Sequence, residues 1–225
     1  PSLMKLGGDT KPMTFLFVDL VNFTPASEIY HNRNDPQGLV TLINRLLSAL
    51  TDVVLSLDGT VINYMGDCVF ALWNAPVDCD NHEERAVTCA ARMLVALKHL
   101  NEELALEGIP KLGLGVGINT GSDAVIGNTG GAKRFIFSPL GDSVNVAARL
   151  EAATRKYDQD VLIGETTAKA VPHLTKSKPK SIPPNLSPLI VSSIVYRGTH
   201  PNYKRNQSRL LHSEIHPNHN KRNKY

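Results

Sequence analysis

The sequence predicts an α+β fold in which helices cover a mixed β-sheet. Short apolar runs rich in β-forming residues alternate along the chain with longer segments of helical periodicity. Some of the predicted strands are joined by hairpin turns and others by whole helices, so antiparallel and parallel pairs are both expected. The 225 residues, 42% of them hydrophobic, suffice for one substantial core.

The first half of the chain predicts a buried strand, two helices and a hairpin. TFLFVDL (14–20) predicts a buried strand with Asp19 near its end. The next turn predicts a helix with Thr24 as N-cap and Pro25 at the first helical position. The remaining elements are a helix with an apolar stripe over 39–57, ended by Asp58-Gly59, and strands at 60–64 and 69–73 joined by MGDC.

The second half of the chain predicts two longer helices, several strands and a short final helix. The segment GNTGGAK (127–133) predicts a flexible turn, and Asp142 or Ser143 is expected to cap the helix that follows. The predicted elements are a helix over 82–106, strands at 112–119 and 123–127 around Thr120-Gly121, a strand at 134–138, a helix over 142–156, a strand at 161–164 and a short helix to about Val171.

Composition divides the chain near residue 172. Residues 1–171 hold 14 Lys and Arg against 20 Asp and Glu, whereas residues 172–225 hold 10 against one. We expect a lead-in segment (1–13), a folded domain (14–171) and a basic, Pro-, His- and Asn-rich tail (172–225) that is largely disordered, with a strand only at 189–196. The three cysteines lack metal-binding spacing, which favours reduced thiols in the cytoplasm. No apolar run reaches the length of a membrane helix.

Two aspartates, Asp19 and Asp67, each lie beside an apolar strand. If the 14–20 strand neighbours the 60–73 hairpin, both carboxylates meet at one edge of the sheet. Two such carboxylates repel unless a cation neutralises them, and hard oxygen ligands suit Mg²⁺. Metals held by paired aspartates are one way to catalyse phosphoryl transfer. The alternative is structural, with Asp19 capping a turn and Asp67 in a hairpin for its turn propensity.

Two further features suggest phosphate or nucleotide binding. Leu20 to Thr24 lead into a helix N-terminus, where free backbone N–H groups bind anions. In GDSVNVAARLE (141–151), Asn145 and Arg149 are four residues apart and share a helix face, suited to a ribose and a phosphate. The alternative for the second feature is a solvated face of an amphipathic helix.

Three separated motifs carry a family resemblance. In this order, FLFVDLVNFT, GTVINYMGDCVFALWNAP and GVGINTGSDAVIGNTGGAKRFIFSPLGDSVNVAARLE resemble the class III nucleotidyl cyclase catalytic domain over residues 5–171. The chain is most similar to bacterial adenylyl cyclases in which this domain follows an extracellular sensor and membrane helices. The resemblance implies a ferredoxin-like, palm-type sheet, ATP as substrate and a cytoplasmic catalytic domain, and no nucleic-acid partner is expected.

The resemblance also implies a role for each site residue. Asp19 and Asp67 would hold two Mg²⁺ or Mn²⁺ ions, and the backbone of Leu20, Val21, Asn22, Phe23 and Thr24 would contact the triphosphate. Asn145 would orient the ribose, and Arg149 would stabilise charge on the α-phosphate. The family builds each site from two subunits, so a homodimer with shared active sites is expected and a monomer should be inactive. The 127–138 segment resembles the family's dimerisation arm.

Base recognition is where the chain departs from the family pattern. Adenylyl cyclases usually carry Lys where this chain has Asn63, and Asp, Thr or Ser where it has Ser138. The Ser138 hydroxyl suits adenine, whereas the Asn63 amide donates without the charge that strengthens such a bond. Guanylyl enzymes usually carry Glu at the first position. The sequence therefore favours ATP with weakened base selection, and relaxed use of GTP is the alternative.

Two other departures bear on activity. Pro139 removes a ladder N–H beside the base pocket, and the family's C-terminal Lys-Gly pair has only Arg197-Gly198 as a poor match. A catalytically impaired, nucleotide-binding or regulatory module is therefore the alternative from a different functional class. Gly7-Gly8-Asp9-Thr10 superficially resembles a diguanylate cyclase signature but lacks its second acid and Phe. A phosphoacceptor receiver domain would also place an aspartate such as Asp19 after a strand, but it would not explain the motif residues 127–151.

Overall fold

The computed structural model describes residues 7–131 and 134–175. All of them belong to one unit, Pro1–Val195, and the second unit, Tyr196–Tyr225, lies outside the described residues. The predicted strand at 189–196 and the Arg197-Gly198 pair also lie outside them. The expectations for the tail, and for the domain boundaries that depend on it, therefore stay predictions.

Eight strands and five helices make up the described part of the chain. They are β1 (Gly7–Thr10), β2 (Met13–Val21), α1 (Phe23–Asn32), α2 (Pro36–Leu55), β3 (Thr60–Met65), β4 (Cys68–Trp73), α3 (His82–Leu106), β5 (Gly113–Gly121), β6 (Val125–Gly131), β7 (Arg134–Leu140), α4 (Asp142–Tyr157), β8 (Val161–Ile163) and α5 (Glu165–Ala170).

The main sheet has five strands in the order β3-β4-β2-β5-β8, with β2 at its centre. All neighbours pair antiparallel except β5 and β8, which are parallel. The order of β2 to β5 and the two helical crossovers, α1–α2 and α3, are those of a ferredoxin-like βαββαβ unit. The predicted mixed sheet covered by helices is confirmed, and the 60–73 hairpin lies next to the N-terminal strand as the metal hypothesis requires.

A separate three-stranded antiparallel sheet has the order β1-β6-β7, and we call it the arm sheet. It corrects one expectation, because residues 127–131 pair with β7 and belong to β6 rather than to a turn. The two strands around Thr120-Gly121, β5 and β6, lie in different sheets. Part of the expected lead-in, residues 7–10, is a strand that pairs with β6.

Side chains on alternate positions of β2 pack into two different cores. Leu16 and Val18 pack with α2 and α3 on one face of the sheet. Phe15 packs on the other face with Ala147 of α4. Since strand side chains alternate between faces, Asp19 shares the face of Phe15 and points toward the side covered by α4.

Helix α2 is long and apolar enough to span a membrane by length and composition, with a mean hydropathy of 1.5 over its best window. Its buried stripe, however, lies in the main core against α3 and the sheet (Leu42, Leu46, Leu50 and Val54). A core helix of a globular domain passes the same test, so the packing accounts for this composition.

Two predicted helix caps were wrong. Helix α1 begins at Phe23, so Thr24 lies in its first turn and Asn22 takes the N-cap position with φ 66°. Asn tolerates that left-handed conformation, which turns the chain sharply out of β2. The N-cap of α4 is Gly141 rather than Asp142 or Ser143. Gly141 has φ +157°, and a Cβ there would lie 3.0 Å from the Cα of Ala124, so the tight approach selects glycine.

Candidate active site

The aspartate pair lies where β2 ends and the β3–β4 hairpin turns. Met65 pairs with Cys68, which leaves Gly66 and Asp67 as a two-residue turn, and Gly66 has the positive φ (67°) that such turns favour. Because Val18 pairs with Val69, the next residues along each strand, Asp19 and Cys68, are neighbours. The two carboxylates therefore meet at one edge of the main sheet, as the sequence predicts, and Asp19 lies within the strand rather than capping a turn.

The electrostatics of this edge disfavour negative charge. Burial raises the pKa of the Asp67 carboxyl, and the charge of Asp19 raises it further. Burial, followed by the charges of Asp19, Glu151 and Asp67, raises the pKa of the Cys68 thiol to about 12, so this cysteine is a neutral neighbour rather than a nucleophile. A bound cation would relieve the repulsion between the two carboxylates.

Sequence reasoning missed two residues of this site, Glu151 and Arg155 on α4. Arg155 forms ion pairs with Asp19 through Nη2 and with Glu151 through Nη1, the latter at 3.0 Å. Burial raises the pKa of Glu151, although the charge of Arg155 acts in the opposite direction. The signal was present in the sequence as a Glu and an Arg four residues apart on a predicted helix.

Helix α4 reaches the aspartates because β5 presents glycines beneath it. A Cβ on Gly117 would lie 2.2 Å from both the carbonyl oxygen of Ala147 and the backbone nitrogen of Glu151. At Gly115, directly opposite Asp19 in the sheet, a Cβ would lie 2.5 Å from Oγ1 of Thr154. The helix backbone therefore lies almost directly on the strand, which places Glu151 and Arg155 at the site.

The predicted phosphate-binding segment, Leu20 to Thr24, lies at the junction of β2 and α1. Its middle residue, Asn22, makes no side-chain cap hydrogen bond, and the first turn of α1 holds no acidic residue. The N–H groups at this helix end are therefore open to an anion, apart from Pro25, which has none. The segment follows Asp19 directly, so the structure brings the predicted phosphate contacts beside the aspartate pair.

Asn145 and Arg149 are both exposed on α4, and Arg149 donates to Asp142 at 3.2 Å. At about 100° per residue, they lie roughly 120° around the helix from Glu151 and Arg155. They share one face, as predicted, but that face differs from the one that meets Asp19. Within one chain, α4 therefore contributes one pair of residues to the aspartates and presents the other pair to solvent.

The two predicted base-reading residues lie in different sheets. Asn63 is exposed on β3, next to an irregularity in its pairing with β4. Ser138 is half-buried on β7 of the arm sheet, and its hydroxyl donates at 3.4 Å to the carbonyl oxygen of Pro139. Pro139 is buried opposite Ile126. Strand pairing within one chain does not bring Asn63 and Ser138 together, so their joint role stays a prediction.

The donor set at this edge fits a hard divalent cation. It offers carboxylate oxygens on two half-buried aspartates, at a place where burial and the charge of Asp19 raise the pKa of Asp67. Residues 7–131 and 134–175 hold no group of three or more His, Cys, Asp or Glu arranged to hold a metal. A cation bound by Asp19 and Asp67 would therefore take its other ligands from water or from a phosphate-bearing substrate, as Mg²⁺ commonly does.

A ferredoxin-like sheet, paired aspartates where its strands end and an Asn-Arg pair on a nearby helix are the features expected of a nucleotidyl transfer domain. Residues 8–180 match the family model described as the adenylate and guanylate cyclase catalytic domain. The chain belongs to this family, the class III nucleotidyl cyclase catalytic domains, as the resemblance implies.

Two curated relatives named as adenylate cyclases are bacterial. The chain is 34% identical over 167 residues to adenylate cyclase 1 of Rhizobium meliloti, a match that covers 74% of this chain and 24% of that protein. It is 30% identical over 164 residues to adenylate cyclase of Anabaena cylindrica, covering 71% of this chain and 31% of that protein. The chain thus spans between a quarter and a third of the length of these curated relatives.

Solved structures of both substrate branches share the fold. The crystal structure of the guanylyl cyclase Cya2 superposes with a TM-score of 0.74 at 30% identity, covering 88% of this chain and 98% of that one. The adenylyl cyclase CyaB from P. aeruginosa also superposes with a TM-score of 0.74, at 26% identity, covering 87% of this chain and all of that one. Shape alone therefore does not decide between ATP and GTP.

Proposed function

We propose that this chain is the catalytic domain of an adenylyl cyclase, which converts ATP to 3′,5′-cyclic AMP and pyrophosphate at sites shared by two copies. The observation that carries the proposal is the meeting of Asp19 and Asp67 at the edge of the main sheet, directly before the open N-terminus of α1. Curated relatives named adenylate cyclases favour ATP, and Ser138 suits the adenine amino group.

In the proposed reaction the ribose 3′-oxygen attacks the α-phosphorus, loses its proton, and displaces pyrophosphate. Asp19 and Asp67 would hold two Mg²⁺ or Mn²⁺ ions, which supply charge neutralisation and activation of the attacking oxygen. The backbone N–H groups of Leu20 to Thr24 bind the triphosphate. Asn145 orients the ribose, and Arg149 stabilises the charge that develops on the α-phosphate.

The shared site rests on the two faces of α4. Asn145 and Arg149 point away from the aspartates of their own chain, so they are placed to serve the aspartates of a second copy. The arm sheet carries exposed apolar side chains suited to such an interface: Val125, Ile136 and Leu140 are 39%, 49% and 56% exposed. The proposed active form is therefore a homodimer, and the proposed location is the cytoplasm, whether or not sensor or membrane segments precede it in the full protein.

A second candidate function is a nucleotide-binding module without turnover. Exposed Asn63 and buried Pro139, both departures from the family pattern, favour it. The test is formation of cyclic AMP and cyclic GMP from ATP and GTP, with Mg²⁺ and with Mn²⁺, in a sample shown to be dimeric by light scattering. Adenylyl cyclase activity predicts cyclic AMP that Asp67→Ala abolishes. ATP binding in calorimetry without either product would instead identify the binding module.

Asn63→Lys tests base selection within the same assay. A lysine would place a charged donor where the exposed amide now lies, and charge-assisted hydrogen bonds are roughly twice as strong as neutral ones. We expect the ratio of ATP to GTP turnover to rise about tenfold in Asn63→Lys. An unchanged ratio would show that Asn63 does not read the base.

A further inference from the structure

The counter-ion of the aspartate pair is Arg155, a residue to which neither the motifs nor the proposed reaction gives a role. Its guanidinium contacts Asp19 and also Glu151, at 3.0 Å, while 45% of its side chain remains exposed. Asp19 and Glu151 are more enclosed, with 23% and 13% of their side chains exposed. One partly exposed cation therefore pairs with two more enclosed carboxylates.

Arg155 and a divalent cation cannot both pair fully with the Asp19 carboxylate at the same time. The guanidinium has no acceptor atom and carries a permanent positive charge, so it repels a metal ion placed on the same carboxylate. The pairing with Asp19 relieves the same electrostatic need that a metal would relieve. Arg155 and the metal are thus competitors for one carboxylate.

A second place for the guanidinium adjoins the first. A cavity of about 110 Å³ is lined by Arg155 together with Asp158 and Asp160, two exposed acidic residues just beyond the end of α4. When Arg155 leaves Asp19, these two carboxylates offer its guanidinium a place within the same cavity. Glu151, one helical turn before Arg155, remains as its partner in either position.

We propose that Arg155 is a displaceable internal cation that occupies Asp19 until a divalent metal replaces it, and so sets the metal requirement of the site. The inference rests on the proposed metal-binding role of Asp19 and Asp67. Arg155 acts through Asp19, which makes it a positioning residue rather than a catalytic one. Its charge offsets part of the negative charge of Asp19, Asp67 and Glu151, and it raises the concentration of metal needed to occupy the site.

The test is Mn²⁺ binding to the full chain without nucleotide, measured by calorimetry and by the electron paramagnetic resonance signal of free Mn²⁺. We expect Arg155→Gln to tighten the Mn²⁺ dissociation constant about two- to fivefold, the range that corresponds to losing a partly exposed ion pair. Arg155→Lys keeps the charge but loses the two-pronged geometry, so its affinity should lie near that of the wild type.

The matched control is Lys156→Gln, which removes the same charge from the neighbouring exposed position, where the ammonium lies 5.9 Å from the ring of Tyr157. Its Mn²⁺ affinity should equal that of the wild type. Equal tightening by both variants, or none by Arg155→Gln, overturns the role of Arg155 while the metal site stands. Failure of every protein to bind Mn²⁺, with folding confirmed by circular dichroism, overturns the metal site and this inference together.

Discussion

At the scale of one residue, the charge of Asp67 has a cost in stability, which the proposed metal-binding role would explain. Asp67 lies in a tight turn beside Asp19, and its pKa is raised first by burial and then by that neighbour's charge. A raised carboxyl pKa means that the ionised form is disfavoured in the folded state, so at neutral pH the charge reduces stability. If only turn propensity mattered at this position, Asn would suit it equally well and would not carry the charge.

Replacement of Asp67 by Asn should therefore raise the melting temperature of the metal-free protein while removing activity. We expect a rise of about 1–3 °C at pH 7 in scanning calorimetry with a chelator present. Added Mn²⁺ should stabilise the wild type and leave the variant unchanged. A lower melting temperature for Asp67→Asn without metal would mean that the carboxylate is structural.

Gly117 supports the site through the absence of a side chain. Alanine there would drive a methyl group into backbone atoms of α4, at 2.2 Å from the carbonyl oxygen of Ala147. We expect Gly117→Ala to lower the free energy of unfolding by about 3 kcal/mol, measured by urea titration. Gly113→Ala on the same strand meets the side chain of Val21, whose nearest atom is Cβ at 3.3 Å, and should cost less than about 1 kcal/mol. Equal losses in both variants would refute the close approach of helix and strand.

Residues with local signals were predictable, and residues with long-range causes were not. Asp19 and Asp67 follow apolar runs, so their meeting could be inferred once neighbouring strands were assumed. Arg155 was missed because its partner Asp19 lies 136 residues away in the chain. Gly141 was missed as a cap because its reason is the backbone of Ala124, which only the folded chain brings near.

At the scale of elements, periodicity predicted type and extent well. Helix α3 has the predicted bounds, and α4 differs by one residue at its end. The failure at residues 127–131 has a physical reason, since a Gly-rich segment has weak intrinsic strand preference and becomes β6 through pairing with β1 and β7. Tertiary pairing there outweighs local propensity.

A half-buried histidine, His82, is the first residue of α3. Nδ1 of His82 lies 2.7 Å from the Thr14 hydroxyl, which continues through Thr120 to Thr167 as a chain of hydroxyl hydrogen bonds between β2, β5 and α5. Burial lowers the pKa of His82; the charge of Glu83 opposes this shift and that of Lys11 adds to it. The folded state therefore favours the neutral ring.

This arrangement predicts that the folded protein loses stability as the pH falls. Because the folded pKa of His82 is below the unfolded value of about 6.5, the unfolded state binds more protons as the pH falls below that value. The contribution of His82 to stability is complete above about pH 7 and decreases from there toward the lower folded pKa.

We expect His82→Asn to remove about 1–3 °C of the fall in melting temperature between pH 7 and pH 5.5. His99→Asn, an exposed position on the same helix, should keep the wild-type fall, and an unchanged fall in His82→Asn would exclude this histidine.

At the scale of the whole molecule, the main sheet could be predicted from the sequence and the arm sheet could not. The mixed sheet follows from alternating strands and helices, and the hairpin fixes the neighbour of β2. The arm sheet joins residues 7–10 to residues 125–128, and no local pattern marks that pairing. Its exposed apolar residues, Val125, Ile136 and Leu140, have no evident use in a single copy and support the proposed second one.

A mixing experiment tests whether each site takes residues from two copies. In a heterodimer of Asp67→Asn and Arg149→Ala chains, one site combines both defects, and the other combines the intact Asp67 of one chain with the intact Arg149 of its partner. Random pairing makes half of the dimers mixed, each with one working site, so the mixture should recover about a quarter of wild-type cyclic AMP formation. Each variant alone should be inactive, and circular dichroism serves as the folding control. If a site is built within one chain, both sites of every mixed dimer carry a defect and the mixture stays inactive. That result would exclude the shared site and leave the proposed metal-binding role of the aspartates unaffected.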